Sequence, residues 1–326
     1  MKAIIYKKYG SPDNLKLAEV EKPTPKNNEV LIKIRASCVN AYDWHLMRGK
    51  PFMTRLLAGL FRPKNKILGA DISGTVESVG SLVTKLKIGD NVYGCLESCG
   101  KGGLAAGGFA EYVTAKESVL AIMPSNINFE SAAAVPMAAV TALQAVRDKG
   151  QLKNGQKVLI NGATGGVGSF AVQIAKSFGA EVTGVCSSGN MEIVSSLGAD
   201  FVVDYTKENF TTSGKTYDLI IDIVANHSIK DYRRSLVKNG ICVVVGFGGF
   251  GHTLRVMFAH KKDGKKIVLL VANNKNNADL LFMNTLLESG KVKPFIDKHF
   301  TLAETADAIR YVETKHAKGK VVIKNE

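Results

Sequence analysis

Two rhythms of apolar and polar residues divide the chain. Over residues 1 to 123 the apolar positions come in short alternating segments, such as VLIKIRAS at 30–37 and ISGTVESVG at 72–80, cut by Gly, Pro and Asn. That alternation predicts half-buried strands of a compact antiparallel β domain. From Lys157 the pattern changes to unbroken apolar runs and helix-length stretches: KVLIN, SFAVQIAKSFGA, EVTGVC, MEIVSSLGA, FVVDY, DLIIDIVA, ICVVVGF and KIVLLVA. Parallel strands covered by helices on both faces show no polar side, so these runs predict a doubly wound α/β sheet. After about Asn274 come two amphipathic helical segments, ADLLFMNTLLESG and AETADAIRYVETK, and a last strand-like KGKVVIKN. A strand placed after the helices predicts that the chain returns to complete its first domain. The expected division is one domain from 1–123 and 274–326, and an inserted domain from 124–273.

The passage KVLINGATGGVGSFAVQIAK, 157–176, sets an apolar strand, a glycine-rich turn and a helix in succession. Gly162, Gly165, Gly166 and Gly168 let the backbone turn sharply and let a phosphate approach. The helix N-terminus supplies unpaired N–H groups and the positive end of its dipole. A diphosphate is expected there, held by Thr164, Gly165, Gly166 and Val167. Ala163 stands where the standard fingerprint has its first glycine. A plain tight turn is the alternative, but strand, turn, helix and second strand agree on a dinucleotide.

An NAD-selecting unit ends its second strand in Asp or Glu, which binds both ribose hydroxyls and repels a 2′-phosphate. Here GVCSSGN, 184–190, places Cys186 at that point. Ser187, Ser188 and the N–H groups through Asn190 suit phosphate oxygens instead, and Tyr205, after the third strand, is placed to reach the same pocket. NADP(H) is therefore the expected cofactor, although no Arg or Lys stands at 187–190 to form the usual charged fork. The alternative is a polar turn indifferent to the phosphate.

Composition sets the bounds. The chain has 326 residues, 45% hydrophobic and 22% charged, enough for a substantial core and two domains. No apolar run approaches the ~20 residues of a spanning helix, and Met1–Tyr6 opens as a strand, so a cytoplasmic address is expected. Five scattered cysteines, Cys38, Cys95, Cys99, Cys186 and Cys242, do not make a disulfide framework. The net charge of +14 favours anionic surfaces or ligands without specifying one, and its densest patch, HKKDGKK at 260–266, reads first as a solvated loop.

The chain resembles the medium-chain dehydrogenase/reductase superfamily, in its zinc-free quinone oxidoreductase branch. The resemblance is carried by VLIKIRASCVNAYDWHLMRG, LGADISGTVESVG, GDNVYG, GGFAEYV, AAAVPMAAVTALQAV and the glycine loop, and runs from MKAIIYKKYGSPDNLKL to GKVVIKN. It implies a GroES-like β-rich catalytic domain built from both termini, an inserted Rossmann domain and an active site in the cleft. SLGADFVVDY and the tail from Ala317 to Ile323 are most similar to members that reduce activated alkenes, including the chloroplast-envelope quinone oxidoreductase homologues. The resemblance also assigns Thr141 to the side of the nicotinamide, with a helix-internal hydroxyl as its alternative, and gives Val224, Gly246 and Phe247 to the cofactor site.

Zinc-dependent members of the superfamily carry Cys where Asn40 stands, a His-Glu pair where Ala70-Asp71 stands and a further Cys near Met137. Asn, Ala and Met do not supply the three ligands of a catalytic zinc, and Cys95 with Cys99 are too few for a four-thiolate lobe, so no metal is expected. Without a Lewis acid, an isolated carbonyl is a poor hydride acceptor, whereas a conjugated enone or a quinone spreads the charge into an enolate or phenolate. The expected reaction is NADPH-dependent reduction of the C=C bond of an α,β-unsaturated carbonyl (enone or alkenal), or of a quinone.

By the same resemblance Asn40 and Asp43 lie at the floor of the cleft, Asn40 to donate to the substrate oxygen and Asp43 to orient its neighbours; bonding of the loop backbone is their alternative. Tyr42 and His45 are the candidate proton donors. The insert FMTRLLAGLFRPKNK, 52–66, reads as an apolar lid, then as a packed helix, and last as a basic-flanked contact with a membrane. A homodimer joined through a strand like KIVLLVA is expected from the family. A cofactor-binding sensor or RNA-binding protein with little turnover is the alternative function, and nucleic acid is otherwise disfavoured.

Overall fold

The computed structural model describes residues 1–96, 107–246, 248–259, 261–274 and 276–325. Phe247, Cys99 and His260, each singled out from the sequence, lie outside the described residues. Two compact units appear: Met1–Ala138 with Asn274–Glu288 and Pro294–Glu326, and Ala139–Asn273 with Ser289–Lys293.

The first unit opens with strands β1 (Lys2–Ile5), β2 (Lys16–Glu19) and β3 (Glu29–Val39), then helices α1 (Ala41–Arg48) and α2 (Met53–Ala58). Strands β4 (Asp71–Val79), β5 (Asn91–Cys95), β6 (Tyr112–Lys116) and β7 (Leu120–Ile122) follow, and then helices α3 (Phe129–Ala134) and α4 (Pro136–Leu143). The alternation of VLIKIRAS and ISGTVESVG becomes an antiparallel β3–β4 ladder, and its inward positions Val30, Ile32, Ile34, Ile72 and Val76 join Val92, Val113 and Leu120 in one buried cluster. Each such side chain contributes roughly 1.5–3 kcal/mol relative to exposure.

In the second unit the strands are β8 (Lys157–Asn161), β9 (Glu181–Cys186), β10 (Phe201–Asp204), β11 (Tyr217–Asp222), β12 (Leu236–Val244) and β13 (Lys266–Leu269). Helices α5 (Gly166–Ser177), α6 (Met191–Ser196), α7 (Ile229–Ser235) and α8 (Phe250–Met257) lie between them in the chain. All neighbours are parallel in the order β10-β9-β8-β11-β12-β13, the 3-2-1-4-5-6 order of a doubly wound sheet, so the strand order reverses between β8 and β11. Leu159, Val185, Ile220, Cys242 and Val244 from these strands pack with Tyr232 and Leu236.

The chain then re-enters the first unit with α9 (Ala278–Glu288), β14 (Ile296–Thr301), α10 (Thr305–Glu313) and β15 (Lys320–Lys324). Strand β15 pairs antiparallel with β3, from Val321 opposite Val39 to Lys324 opposite Ala36, so the last strand does complete the first unit. The return to the first unit begins at Asn274. The first crossing falls between Ala138 and Ala139 rather than at 123/124. The physical reason is α3, which packs on β3, β4 and β15, together with the Met137 N–H, which bonds Asp71 of β4. A second difference is Ser289–Lys293, drawn into the inserted unit because the Gln173 amide of α5 pairs with the Lys293 backbone at 3.0 and 2.8 Å. Among the described residues no helix is long and apolar enough to cross a membrane.

Candidate functional site

At the sheet's reversal point β8 ends in Asn161, and Gly162 turns the chain with φ of +86°. The N–H groups of Gly162 and Ala163 still reach the Val185 carbonyl, at 3.2 and 3.0 Å, so the turn stays bound to β9. Gly165 then caps α5. A Cβ on Gly168 would lie 2.0 Å from the Gly162 carbonyl oxygen, which is why helix and strand approach only with glycine there. Thr164, Gly165, Gly166 and Val167 form the half-buried mouth of this turn, where the first N–H groups of α5 have no intrahelical partner.

The facing wall is shaped by Asp222, fully buried at the end of β11. Its carboxylate accepts from Asn161 Nδ2 at 2.9 Å, the N–H groups of Val224 and Ala225 at 2.9 and 2.8 Å, and the Tyr232 hydroxyl at 2.7 Å. This tight turn leaves Val224 half exposed, its Cγ2 only 3.0 Å from where a Gly162 Cβ would stand. Gly246 lies on the same wall, because a Cβ there would meet the Ile223 carbonyl at 2.1 Å. The structure thus brings the glycine turn, Val224 and Gly246 together. Thr141 is buried in α4. Sequence reasoning missed Asp222, whose position as the last residue of an apolar strand was its signal.

The ribose end needs correction. Cys186 is the last residue of β9 and buried, with burial pushing its thiol up to about 11. The strand beside it, β10, places Asp204 directly opposite Cys186, so a carboxylate is present after all, on the third strand instead of the second. It accepts a very short hydrogen bond from the Ser188 hydroxyl, and bonds from Thr206 N and Oγ1 at 2.9 and 2.7 Å. The Ser188 bond comes first among the interactions that hold Asp204 below the usual carboxylate range. With its proton committed to Asp204, Ser188 turns lone pairs outward and accepts, contrary to the donor role expected of it. Ser187 keeps its proton to donate, since its Oγ accepts from Asn190 Nδ2 at 3.0 Å; Asn190 thereby serves to orient Ser187. Lys207, exposed, lies 3.8 Å from Asp204 on the strand beside β9. Tyr205, also exposed, precedes it by two residues, with its N–H on the Cys186 carbonyl at 3.0 Å. The loop after the third strand, YTK, carried this signal.

In the first unit Asn40 caps α1 and is buried with Asp43 and Asp71. Asp43 accepts the Asn40 N–H at 2.7 Å and the Gly69 N–H at 3.1 Å, and burial pushes its carboxyl up to about 7. Asn40 Nδ2 donates to Asp71 at 2.9 Å and to the Cys38 carbonyl at 3.4 Å, while its Oδ1 accepts from Lys320 at 2.5 Å. Both amide protons expected to serve a substrate oxygen are therefore engaged. Asp71 also receives the Met137 N–H at 3.1 Å, and burial lifts its carboxyl to about 6 while Lys320 pulls it down.

His45 Nδ1 lies 2.9 Å from the Lys50 carbonyl, an acceptor only, so that nitrogen bears the proton, and the ring stacks on Trp44 at 3.6 Å. Burial lowers the His45 pKa from its ordinary value, so at neutral pH the ring is neutral with its one proton already bonded. Tyr42, half buried, packs against the cluster of Leu46, Met47 and Phe109. In the insert after it Phe52, Leu56, Leu60 and Phe61 are 61, 52, 42 and 87% exposed, while Ala58 packs against the same cluster. Arg55 turns back to the body, over the Tyr9 ring and onto the Gly49 carbonyl at 3.1 Å.

The sheet order, glycine turn and ribose pocket define a dinucleotide-dependent oxidoreductase with a GroES-like unit. Residues 26–125 match the alcohol dehydrogenase GroES-like domain, and 197–323 match the zinc-binding dehydrogenase family. The chain is 39% identical, over 99% of its length and 79% of the relative's, to the 2-methylene-furan-3-one reductase of Solanum lycopersicum. With the same coverage it is 36% identical to an NADPH-dependent alkenal/one oxidoreductase, chloroplastic, of Arabidopsis thaliana. The quinone oxidoreductase structure from Coxiella burnetii superposes with a TM-score of 0.88 at 32% identity, covering 100% of this chain and 99% of that one. The chain belongs to the medium-chain dehydrogenase/reductase superfamily, alongside its quinone oxidoreductases and alkenal reductases.

The family description names zinc, and the residues here do not fit it. Asn40 and Asp71 are bonded to each other and to an ammonium group, and among the described residues no three His, Cys, Asp or Glu side chains are grouped to hold a metal ion.

Proposed function

We propose that this chain is an NADPH-dependent reductase of the C=C bond of enones and alkenals, or of quinones. The observation that carries the reading is the glycine turn at the strand reversal, with the Ser187 hydroxyl just after β9 and the exposed Lys207 beside Asp204 of the neighbouring β10. When bound, NADPH supplies the hydride. Thr164 to Val167 would hold its diphosphate at the α5 N-terminus, Ser187, Lys207 and Tyr205 would hold the 2′-phosphate, and Val224 and Gly246 would form the wall beside them.

The acceptor class follows from which groups are left for the substrate. The Asn40 amide and Asp43 carboxylate are bound within the fold, so they orient α1, and among the described residues no metal donor set is grouped to polarise an isolated carbonyl. A conjugated acceptor needs only ordinary hydrogen bonds to its oxygen and a proton. Tyr42, on the first turn of α1, is the proton donor in this reading, and His45, whose Nδ1 proton is bonded to the Lys50 carbonyl, is the second candidate. The exposed apolar insert at 52–61 suits a lipophilic substrate.

A homodimer through β13 is part of the same proposal. That strand is the free edge of its sheet, and Phe250, Met257, Phe258 and Val271 around it are exposed. Light scattering gives twice the chain mass if this is right and the single mass if it is not. The function is tested by following NADPH oxidation with an enone, an alkenal and a quinone. Turnover with one class supports the reading; NADPH binding without any turnover replaces it with a cofactor-binding role.

A further inference from the structure

Lys320, the first residue of β15, is 3% exposed, a rare state for a lysine, which is almost never buried unless paired. Its ammonium reaches Asn40 Oδ1 at 2.5 Å and lies 3.9 Å from Asp71 Oδ2. The buried Cys38 thiol faces the same point, bonded to the neighbouring Val321 carbonyl at 3.1 Å. Gly319 fixes how the strand begins: its φ is +82°, a Cβ would meet the Phe295 carbonyl at 2.2 Å, and the Lys320 N–H bonds that same carbonyl at 2.8 Å. The lysine is thus delivered to the interior by the backbone.

Chemistry settles what the ammonium does there. An ammonium only donates and an ionised carboxylate only accepts, so an amide between them has one workable orientation: oxygen to Lys320, nitrogen to Asp71. Asp71 in turn receives the Met137 N–H at the start of α4. Asn40 passes its own N–H to Asp43, which also holds Gly69. One charge therefore orders groups on β15, α1, β4 and α4.

We infer that Lys320 is a positioning residue of the reductase: a built-in cation that, through Asn40 and Asp71, sets the start of α1, where Tyr42 is carried. This rests on the function proposed above. The positive charge is thereby fixed beside Asn40 and Asp71.

The test compares Lys320→Met, which keeps length and loses charge, with Lys320→Arg, which keeps charge. In the full-length protein, K320M is expected to bind NADPH within about twofold of the wild type, since the cofactor residues lie in the other unit, while kcat with an enone falls about tenfold or more through misplacement of the donor. K320R is expected to recover part of that loss. Wild-type kcat in K320M overturns the inference, as does an equal loss in K320M and K320R. If K320M does not fold, the double variant K320M/D71N removes both members of the charge pair together; a folded double variant with low kcat supports the inference, and one with wild-type kcat overturns it. A wild type that binds NADPH without turnover fails the function alone. Lys320 is then tested by amide exchange of Asn40 Nδ2, expected to be slow in the wild type and fast in K320M; equal rates overturn the inference.

Discussion

Replacing Gly168 by Ala tests the cofactor turn in its most sensitive place. The added methyl would lie 2.0 Å from the Gly162 carbonyl oxygen and 2.9 Å from two backbone atoms of Ala163, none of which can rotate away. Ordinary contact begins at 3.4 Å, so helix α5 and the turn must separate by about 1.4 Å. That carbonyl accepts the Gly165 N–H at 3.1 Å, so the separation also strains the bond that closes the turn. Overpacking of this kind costs about 1–3 kcal/mol, and losing one hydrogen bond adds about 1 kcal/mol. Gly165→Ala is the matched control, because its Cβ would stand 3.5 Å from the same oxygen, at ordinary contact. Urea unfolding and NADPH calorimetry on both variants are the assays. G168A is expected to lose roughly 2–4 kcal/mol of stability together with most of its NADPH affinity, and G165A to stay within about 1 kcal/mol of the wild type in stability. Wild-type stability and affinity in G168A, or equal destabilisation by the two, would refute the account of this turn.

Lys207→Ala removes the cation beside the ribose pocket and is expected to weaken NADPH by about 1.5–3 kcal/mol while leaving NADH nearly unchanged, as read by calorimetry. Equal losses for both cofactors would count against the 2′-phosphate assignment. Tyr42→Phe is expected to lower kcat about a hundredfold or more, and His45→Gln only severalfold, in steady-state assays with an enone; the reverse order would move the proton donor to His45. Asp43 and Asp71, lifted to about 7 and about 6 from an ordinary 3.8, keep protons in the folded chain that the unfolded chain has already released. Their contribution to stability is therefore greatest at acid pH and falls as pH rises from about 4 to 7. Urea unfolding at pH 5 and 7.5 should show a shallower decline in Asp43→Asn than in the wild type, and an unchanged slope would contradict the burial of that charge.

The β8–turn–α5–β9 passage was legible because its signals are local: unbroken apolar strands, glycines at fixed spacing and a helix of the right length all lie within 157–186. The return of β15 to the first unit was legible as a strand left over after two helices. What escaped were pairings between distant segments. Lys320 and Asn40 are 280 residues apart, and nothing in GKVVIKN marks its first lysine as buried. Ser188 sits in a turn that reads as a phosphate donor, and only the neighbouring strand, which brings Asp204 against it, shows that its proton is spent. The early domain boundary failed for the same reason, since the alanines of α3 carry no periodicity that says which sheet they cover. Asn40 looked like a donor until Asp71 and the Cys38 carbonyl were found to take both its amide protons.

The central claim is that hydride goes to a carbon made electrophilic by conjugation. Incubating the purified chain with deuterated NADPH and an α,β-unsaturated ketone, and locating the label by NMR, tests it directly. The account predicts the saturated ketone with deuterium on the β-carbon. An allylic alcohol with deuterium on the carbinol carbon would contradict it.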